Sequence, residues 1–321
     1  MIKTGAAGDI VLSSPFFQSF KLSFPDSEIH LLTKKEYHEI VEPCPVFNHI
    51  HWLKNSFREN LLKMNQEDFD LVVNLQGSLR TELLVAGMRA KVKAGLSDRL
   101  LGKLVYRLCV PTRLPGDIRN SQFSLLRRLG AEKITPDFHV WVDKVTEKHF
   151  PEFLAKNHVD ISQPTVVIHP GASQEWPTKR WPAEYFAQLA ASLKSTGYQV
   201  IIVGTREETK IAERIASLVA GQVISFCGKT SFSQLALLIQ FARLVITTDS
   251  LPLHIGVATG TKTLAIFGPT DPRKHCPPGA RYISKRLSCG PCYQKFCVRL
   301  DCLKSITPEE VLSQAKVMLY E

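Results

Sequence analysis

The sequence lacks what a membrane span, a fibre or a disordered chain would need. Its longest uncharged stretches run only 14 residues, as over 161–174, whereas a spanning helix takes about 20 mostly apolar residues. The opening MIKTGAAGDIVLSS carries Asp9 and no apolar core run, so it does not read as an export signal. No run of five or more basic residues occurs, which argues against a tail dedicated to nucleic acid. There is no G-x-G-x-x-G and no G-x-S-x-G, leaving a dinucleotide fingerprint and a serine-hydrolase elbow without support. What remains is ordinary globular material: 321 residues, 44% hydrophobic and 22% charged, enough for about two domains, each with its own core.

Two features of composition stand out. Forty Lys plus Arg against thirty Asp plus Glu give a formal net charge of +10, which favours anionic partners such as nucleotides or a phosphorylated surface. Of eight cysteines, four are isolated and four cluster as Cys289, Cys292, Cys297 and Cys302. With no export signal the compartment is expected to be reducing, so structural disulfides are not expected. Four thiolates within 14 residues can satisfy a tetrahedral zinc or an iron–sulfur cluster, or stand as reduced thiols.

Along the chain, short β-branched strands alternate with amphipathic helices. Strands are expected over 29–33, 49–53, 71–75 and 92–96, with helices over 10–20, 79–88 and about 119–129. The polar, proline-bearing stretch 144–164 reads as a linker. Beyond it, strands are expected over 166–169, 200–203, 223–226, 244–248 and 263–267, separated by helices over 183–195, 207–219, 231–242 and 253–258. Thr307, Pro308 and Glu310 make a capping box that opens a last helix over 308–319. The alternation predicts an α/β chain with two Rossmann-like domains of parallel strands, over 1–155 and 163–305, followed by a terminal helix over 306–321. Ligands of such sheets bind beyond the carboxyl ends of the strands, and the expected site is the cleft between the domains. Only Met1-Ile2-Lys3 precede the first glycine turn, so the first strand is expected to be very short or truncated.

Chemistry is concentrated at strand ends. Gly5-Ala6-Ala7-Gly8-Asp9 lets a backbone approach a ligand closely, and Asp9 reads either as a helix cap or as a general base. His169-Pro170-Gly171-Ala172-Ser173 and Lys179-Arg180-Trp181-Pro182 supply backbone donors, a hydroxyl and a point charge of the kind a phosphate needs. Glu207 and Glu208 follow a strand-end glycine; they read as ribose ligands or as acidic residues favoured in a first helical turn. Asp249, Ser250 and His254 cluster where a short helix begins, which suits a diphosphate, and their spacing does not fit a hydrolytic triad. Phe267-Gly268-Pro269-Thr270-Asp271-Pro272 closes the next strand beside them.

This ordered set resembles the heptosyltransferase family of lipopolysaccharide core synthesis, glycosyltransferase family nine. The resemblance runs nearly end to end and is strongest over 166–272. It implies the GT-B arrangement, two Rossmann-like domains across a nucleotide-sugar cleft. The implied activity is inverting, metal-independent transfer of heptose from ADP-heptose to a lipopolysaccharide inner-core acceptor. By position, Asp9 matches the family's catalytic base, Lys179 its diphosphate-contacting lysine, and Asp249, Ser250 and His254 its donor-cradling segment. Ser173 falls in the phosphate-lining loop, and Glu207 or Glu208 would hold the ribose. Leu251 stands where the family has glycine, which adds bulk and disfavours a positive φ. The resemblance places the chain in the cytoplasm, at most peripheral to the inner membrane. No nucleic-acid partner is expected, since neither a helix-turn-helix nor an aromatic platform is evident. Two alternatives stay open: a GT-B transferase or epimerase for another nucleotide sugar, and a catalytically silent scaffold.

Overall fold

The computed structural model describes residues 1–219 and 223–321. It divides into two compact units, Met1–Trp141 and Val142–Glu321. In the first unit the strands are β1 (His30–Thr33), β2 (His49–Trp52), β3 (Phe69–Asn74), β4 (Ala90–Leu96) and β5 (Leu108–Val110). All pair in parallel, β1 with β2, and β4 with β3 on one side and β5 on the other. The very short opening segment joins the two sets. Ile2 bridges to Leu32 on one side and Asn74 on the other. Its amide donates to the Val73 carbonyl at 2.8 Å, and its carbonyl accepts from Leu75 at 3.0 Å. The spatial order β2, β1, Ile2, β3, β4, β5 places Ile2 at the centre, where it is buried with Leu32, Val72, Val85 and Met88.

The helix expected over 10–20 is two helices, Ala7–Val11 and Ser14–Ser23. Pro15 has no N–H to give to the Val11 carbonyl. The Ser14 hydroxyl donates to that carbonyl instead at 2.6 Å, and the Ser13 hydroxyl donates to the Asp9 carbonyl at 2.7 Å. Local side-chain bonds of this kind compete with a continuous helix.

The second unit carries β6 (Thr165–His169), β7 (Gln199–Ile202), β8 (Ile224–Ser225), β9 (Leu244–Thr248), β10 (Thr263–Phe267) and β11 (Arg281–Ser284). They form one parallel sheet in the order β11, β10, β9, β6, β7, β8. Every residue of β6, β7, β9 and β10 is buried, as a parallel sheet covered on both faces requires. β11 was not foreseen because only Ile283 of its four residues is buried, leaving no apolar run to read.

Residues 144–164 are not a plain linker. Lys144–Lys156 is a helix, capped by the Asp143 carboxylate, which accepts from the Thr146 amide at 2.7 Å. It buries Leu154 and sets Phe153 against Phe226 with ring centroids 5.2 Å apart. Polar composition concealed it because only one narrow face is apolar. The break between units therefore falls near residue 141 rather than between 155 and 163. The terminal helix, Pro308–Tyr320, belongs to the second unit. Its Val311, Ala315 and Met318, spaced by one helical stripe, lie in the same core as Val166, Ile202 and Ile246. No helix among the described residues is long and apolar enough to cross a membrane.

Candidate active site

In the second unit the strand order reverses between β6 and β9, and the loops leaving these two strands diverge there. Such a switch point is where open parallel sheets bind ligands. The loop after β6 delivers Lys179 and the loop after β9 delivers Asp249, 70 residues later in sequence. The Lys179 ammonium donates to Asp249 Oδ2 at 2.7 Å. Thr270, from the loop after β10, donates its hydroxyl to the same oxygen at 2.8 Å. Asp249 is buried, while Lys179 keeps 16% of its side chain exposed. The Lys179 ammonium also lies 4.9 Å from the Trp176 ring centroid. Asp249 and the Trp176 face thus fix one cation at the strand ends, with Thr270 steadying the carboxylate, and a cation held in place this way suits an anionic group.

A second node lies beside it. His169 ends β6, and its Nε2 is 3.3 Å from Glu208 Oε2, while its Nδ1 is 3.0 Å from the Ser250 hydroxyl. Since a carboxylate only accepts, Nε2 donates to Glu208, while the Ser250 hydroxyl, which can both donate and accept, meets Nδ1. Glu208 Oε2 also accepts from the Thr205 amide at 2.7 Å. One imidazole therefore ties together the loops after β6, β7 and β9.

This settles how the two glutamates differ. Glu208 is buried and committed to His169 and Thr205, whereas Glu207 is exposed at the end of β7. Burial pushes the Glu208 carboxyl up, but the His169 and Thr205 contacts outweigh it and hold it below the ordinary glutamate value. A depressed carboxyl contributes stability above its unfolded value, near about 4.3, and loses it as pH falls through the folded value. Wild-type protein is therefore expected to lose melting temperature more steeply below about pH 4 than Glu208→Gln does. Parallel acid profiles in a thermal melt would contradict this.

Gly171 is required at this node for reasons of space rather than backbone angle. A Cβ there would lie 1.6 Å from Glu208 Oε1 and 2.1 Å from its Cδ. Glu208 is held by two partners and cannot swing aside. Gly171→Ala is expected to destabilise the fold by about 1–3 kcal/mol, the usual range for overpacking. An unchanged melting temperature would show that the loop yields instead.

The other expected residues are less tightly gathered. Ser173 is exposed on the loop after β6, where its hydroxyl accepts from the Glu175 amide at 3.3 Å. His254 lies one turn into the helix Leu251–Ala258 and is partly buried. Leu251 is the first residue of that helix and is not among the positive-φ residues, so no left-handed backbone is needed there. In the first unit Asp9 is the third residue of the helix Ala7–Val11 and not its cap. Its carboxylate is half exposed, accepts from the Ala6 amide at 3.2 Å, and lies 3.9 Å from the Lys3 ammonium. Burial lowers Lys3 and Asp9 partly offsets it. Gly5 is needed at φ +138°, and a Cβ there would meet the Tyr37 hydroxyl at 2.8 Å. A cavity of about 70 Å³ nearby is lined by Thr4, Lys34, Ser78 and Arg80.

The cysteine segment has a structural part that spacing did not reveal. The Thr178 hydroxyl donates to the Gln294 carbonyl at 2.7 Å, the Tyr293 amide donates to the Pro269 carbonyl at 3.0 Å, and Lys295 lies 5.3 Å from the Trp176 ring. The segment thus fastens the loops that carry Lys179 and Thr270. Its thiols are free, and Cys302 is raised by burial and by the neighbouring Cys292, Cys297 and Cys289. Among the described residues no three of these sulfurs lie within 4.8 Å of one another, whereas a tetrahedral zinc with bonds of about 2.3 Å would hold them about 3.8 Å apart. Of the three readings open for the cluster, the zinc site is not shown by this arrangement.

Two α/β units of parallel strands, with Lys179 fixed at the switch point of the second, are the GT-B class of fold that the resemblance implied. The model of glycosyltransferase family 9 (heptosyltransferase) matches residues 58–302, and the chain belongs to that family. It is 26% identical over 280 residues to lipopolysaccharide heptosyltransferase 3 of Escherichia coli, covering 82% of this chain and 81% of that one. It is 36% identical over 161 residues to lipooligosaccharide heptosyltransferase 2 of Campylobacter jejuni, covering 47% and 50%. Among solved structures, a family 9 glycosyl transferase from Veillonella parvula superposes with a TM-score of 0.85 at 22% identity, covering 99% and 96%. E. coli ADP-heptose lps heptosyltransferase II does so with a TM-score of 0.79 at 20% identity, covering 99% and 97%.

Proposed function

We propose that the protein transfers heptose from ADP-heptose to a lipopolysaccharide inner-core acceptor with inversion at the anomeric carbon. The observation that carries this reading is the Lys179–Asp249–Thr270 constellation at the switch point of a family 9 chain. The relatives' names supply the sugar and the acceptor class, and a solved neighbour of E. coli, titled with ADP-2-deoxy-2-fluoro heptose, supports the donor.

In this scheme the acceptor hydroxyl attacks the anomeric carbon from the face opposite the diphosphate. The new C–O bond forms as the bond to the diphosphate oxygen breaks. Asp9 takes the hydroxyl proton, and the electron pair leaves with ADP. Negative charge grows on the departing diphosphate, and Lys179 answers it from a fixed position. Asp249 aims that lysine, Ser250 and His254 cradle the diphosphate at the helix start, and Ser173 lines the phosphates. Glu207, exposed where Glu208 is not, holds the ribose hydroxyls. The cation and backbone donors supply the charge stabilisation, so the scheme uses no metal. The net charge of +10, with Lys34 and Arg80 beside the first-unit cavity, suits a phosphorylated lipid acceptor and peripheral contact with the cytoplasmic membrane face.

The test is incubation of the protein with ADP-heptose and a heptose-deficient core acceptor, reading ADP release and acceptor mass. A gain of one heptose with equimolar ADP is expected. ADP binding without transfer would favour another sugar or a silent scaffold, and absence of ADP binding would overturn the donor assignment.

A further inference from the structure

The first unit holds a cluster that the transfer scheme leaves unused. β1 and β2 pair so that His30 faces His49 directly, with His51 two residues on along the same face. Side chains two apart on a strand share a face, so the three imidazoles converge. His30 lies 4.5 Å from His49 and 5.1 Å from His51 between ring centroids, and Phe69 packs edge-on against it. Glu28 enters from just before β1. Its Oε1 is 2.8 Å from His49 Nε2 and 3.6 Å from His30 Nε2.

We propose that Glu28, His30 and His49 form a binding site for a borderline transition-metal dication, with Zn²⁺ as the representative ion. The ligand atoms of all three lie within 4.8 Å of one another, and among the described residues this is the one such group of histidine, cysteine and carboxylate. A tetrahedral zinc with bonds of about 2.0–2.1 Å sets its ligand atoms about 3.3 Å apart. The observed 2.8 and 3.6 Å bracket that separation, so only small rotations separate this arrangement from a coordinated one. Two imidazole nitrogens and one carboxylate are a ligand set that zinc takes readily, and water completes it at this exposed edge.

The surroundings are those of an oriented ligand. His30 Nδ1 is 2.9 Å from His51 Nε2, and His51 is buried. A ligating histidine characteristically has its second ring nitrogen hydrogen-bonded, which fixes the ring and the tautomer. With His51 holding Nδ1, His30 presents Nε2 toward Glu28. Glu67 adds a second carboxylate within electrostatic reach of His30. The cluster sits where β1 and β2 begin, while Thr4, Lys34 and Leu53 lie where the strands end. The metal would therefore clip the outer sheet edge together at the end away from the transfer chemistry. Transfer activity is expected not to depend on it.

Isothermal titration of ZnCl₂ into untagged full-length protein tests this, alongside His49→Ala, Glu28→Gln and a variant with Cys289, Cys292, Cys297 and Cys302 all replaced by serine. The expected result is one Zn²⁺ equivalent that survives the serine replacements and weakens by roughly 10–100-fold or more in His49→Ala and Glu28→Gln. Both altered side chains are exposed, so folding should persist, and a thermal melt of each without metal checks it. Co²⁺ absorption gives a second readout: visible bands without sulfur charge transfer in the serine variant. Unchanged zinc affinity in His49→Ala and Glu28→Gln, or complete loss of binding in the serine variant, would overturn the proposal.

Discussion

Asp9→Asn is expected to lower kcat for heptose transfer by about 10²–10⁴-fold, the usual weight of a general base, with ADP affinity unchanged. The substitution keeps the shape of the side chain and an amide oxygen that can still accept from the Ala6 amide, the contact Asp9 makes at 3.2 Å. What it removes is the ability to take a proton. The carboxylate is half exposed and 3.9 Å from Lys3, but that ammonium is buried, so a modest drop in melting temperature is expected as well. A fall in kcat in a protein that still folds, with ADP affinity retained, assigns the base. Wild-type turnover in a folded Asp9→Asn protein would remove Asp9 from the reaction.

Lys179→Ala is expected to cost about 10²–10³-fold in kcat, the scale measured when one donor to a developing anion is removed. It also has a structural cost. The Asp249 carboxylate is buried, with side-chain exposure of 8%, and would keep only Thr270 of its two partners on Oδ2. Breaking a buried pair from one side costs about 3–5 kcal/mol, and the partial exposure of Lys179 places this pair toward the lower end. The two effects separate in a double-mutant cycle. Lys179→Ala combined with Asp249→Asn is expected to recover much of the melting temperature, since no charge is left unpaired, while kcat stays low. Recovery of kcat together with stability would mean that Lys179 matters only as the partner of Asp249.

Local features were legible in the chain. β9 and β10 fall on the residues their apolar runs indicated, as does the helix Ala183–Ser195. The Thr307 hydroxyl caps the last helix, accepting from the Glu310 amide at 3.3 Å. Trp181 packs the helix start, buried against Phe186 with its indole N–H donating to the Ile306 carbonyl. Where reading failed, two local rules competed. Pro15 and two serines divided a helix that periodicity alone would join. An amphipathic helix with Pro151 inside it read as a linker because its apolar face is narrow.

The sequence by itself determined the alternation of strands and helices, the caps, and the residue types at the strand ends. Those features depend on contacts within about four residues of one another, and such contacts are written directly in residue order. Tertiary structure alone decided which of those residues act together. Lys179 meets Asp249, and His169 stands between Glu208 and Ser250, because the strand order brings the ends of β6, β7 and β9 side by side. It also decided that Glu208 is an anchor and Glu207 the exposed neighbour, and that His30 faces His49 across two strands. Such pairings depend on sheet order and register, which no short stretch of sequence contains.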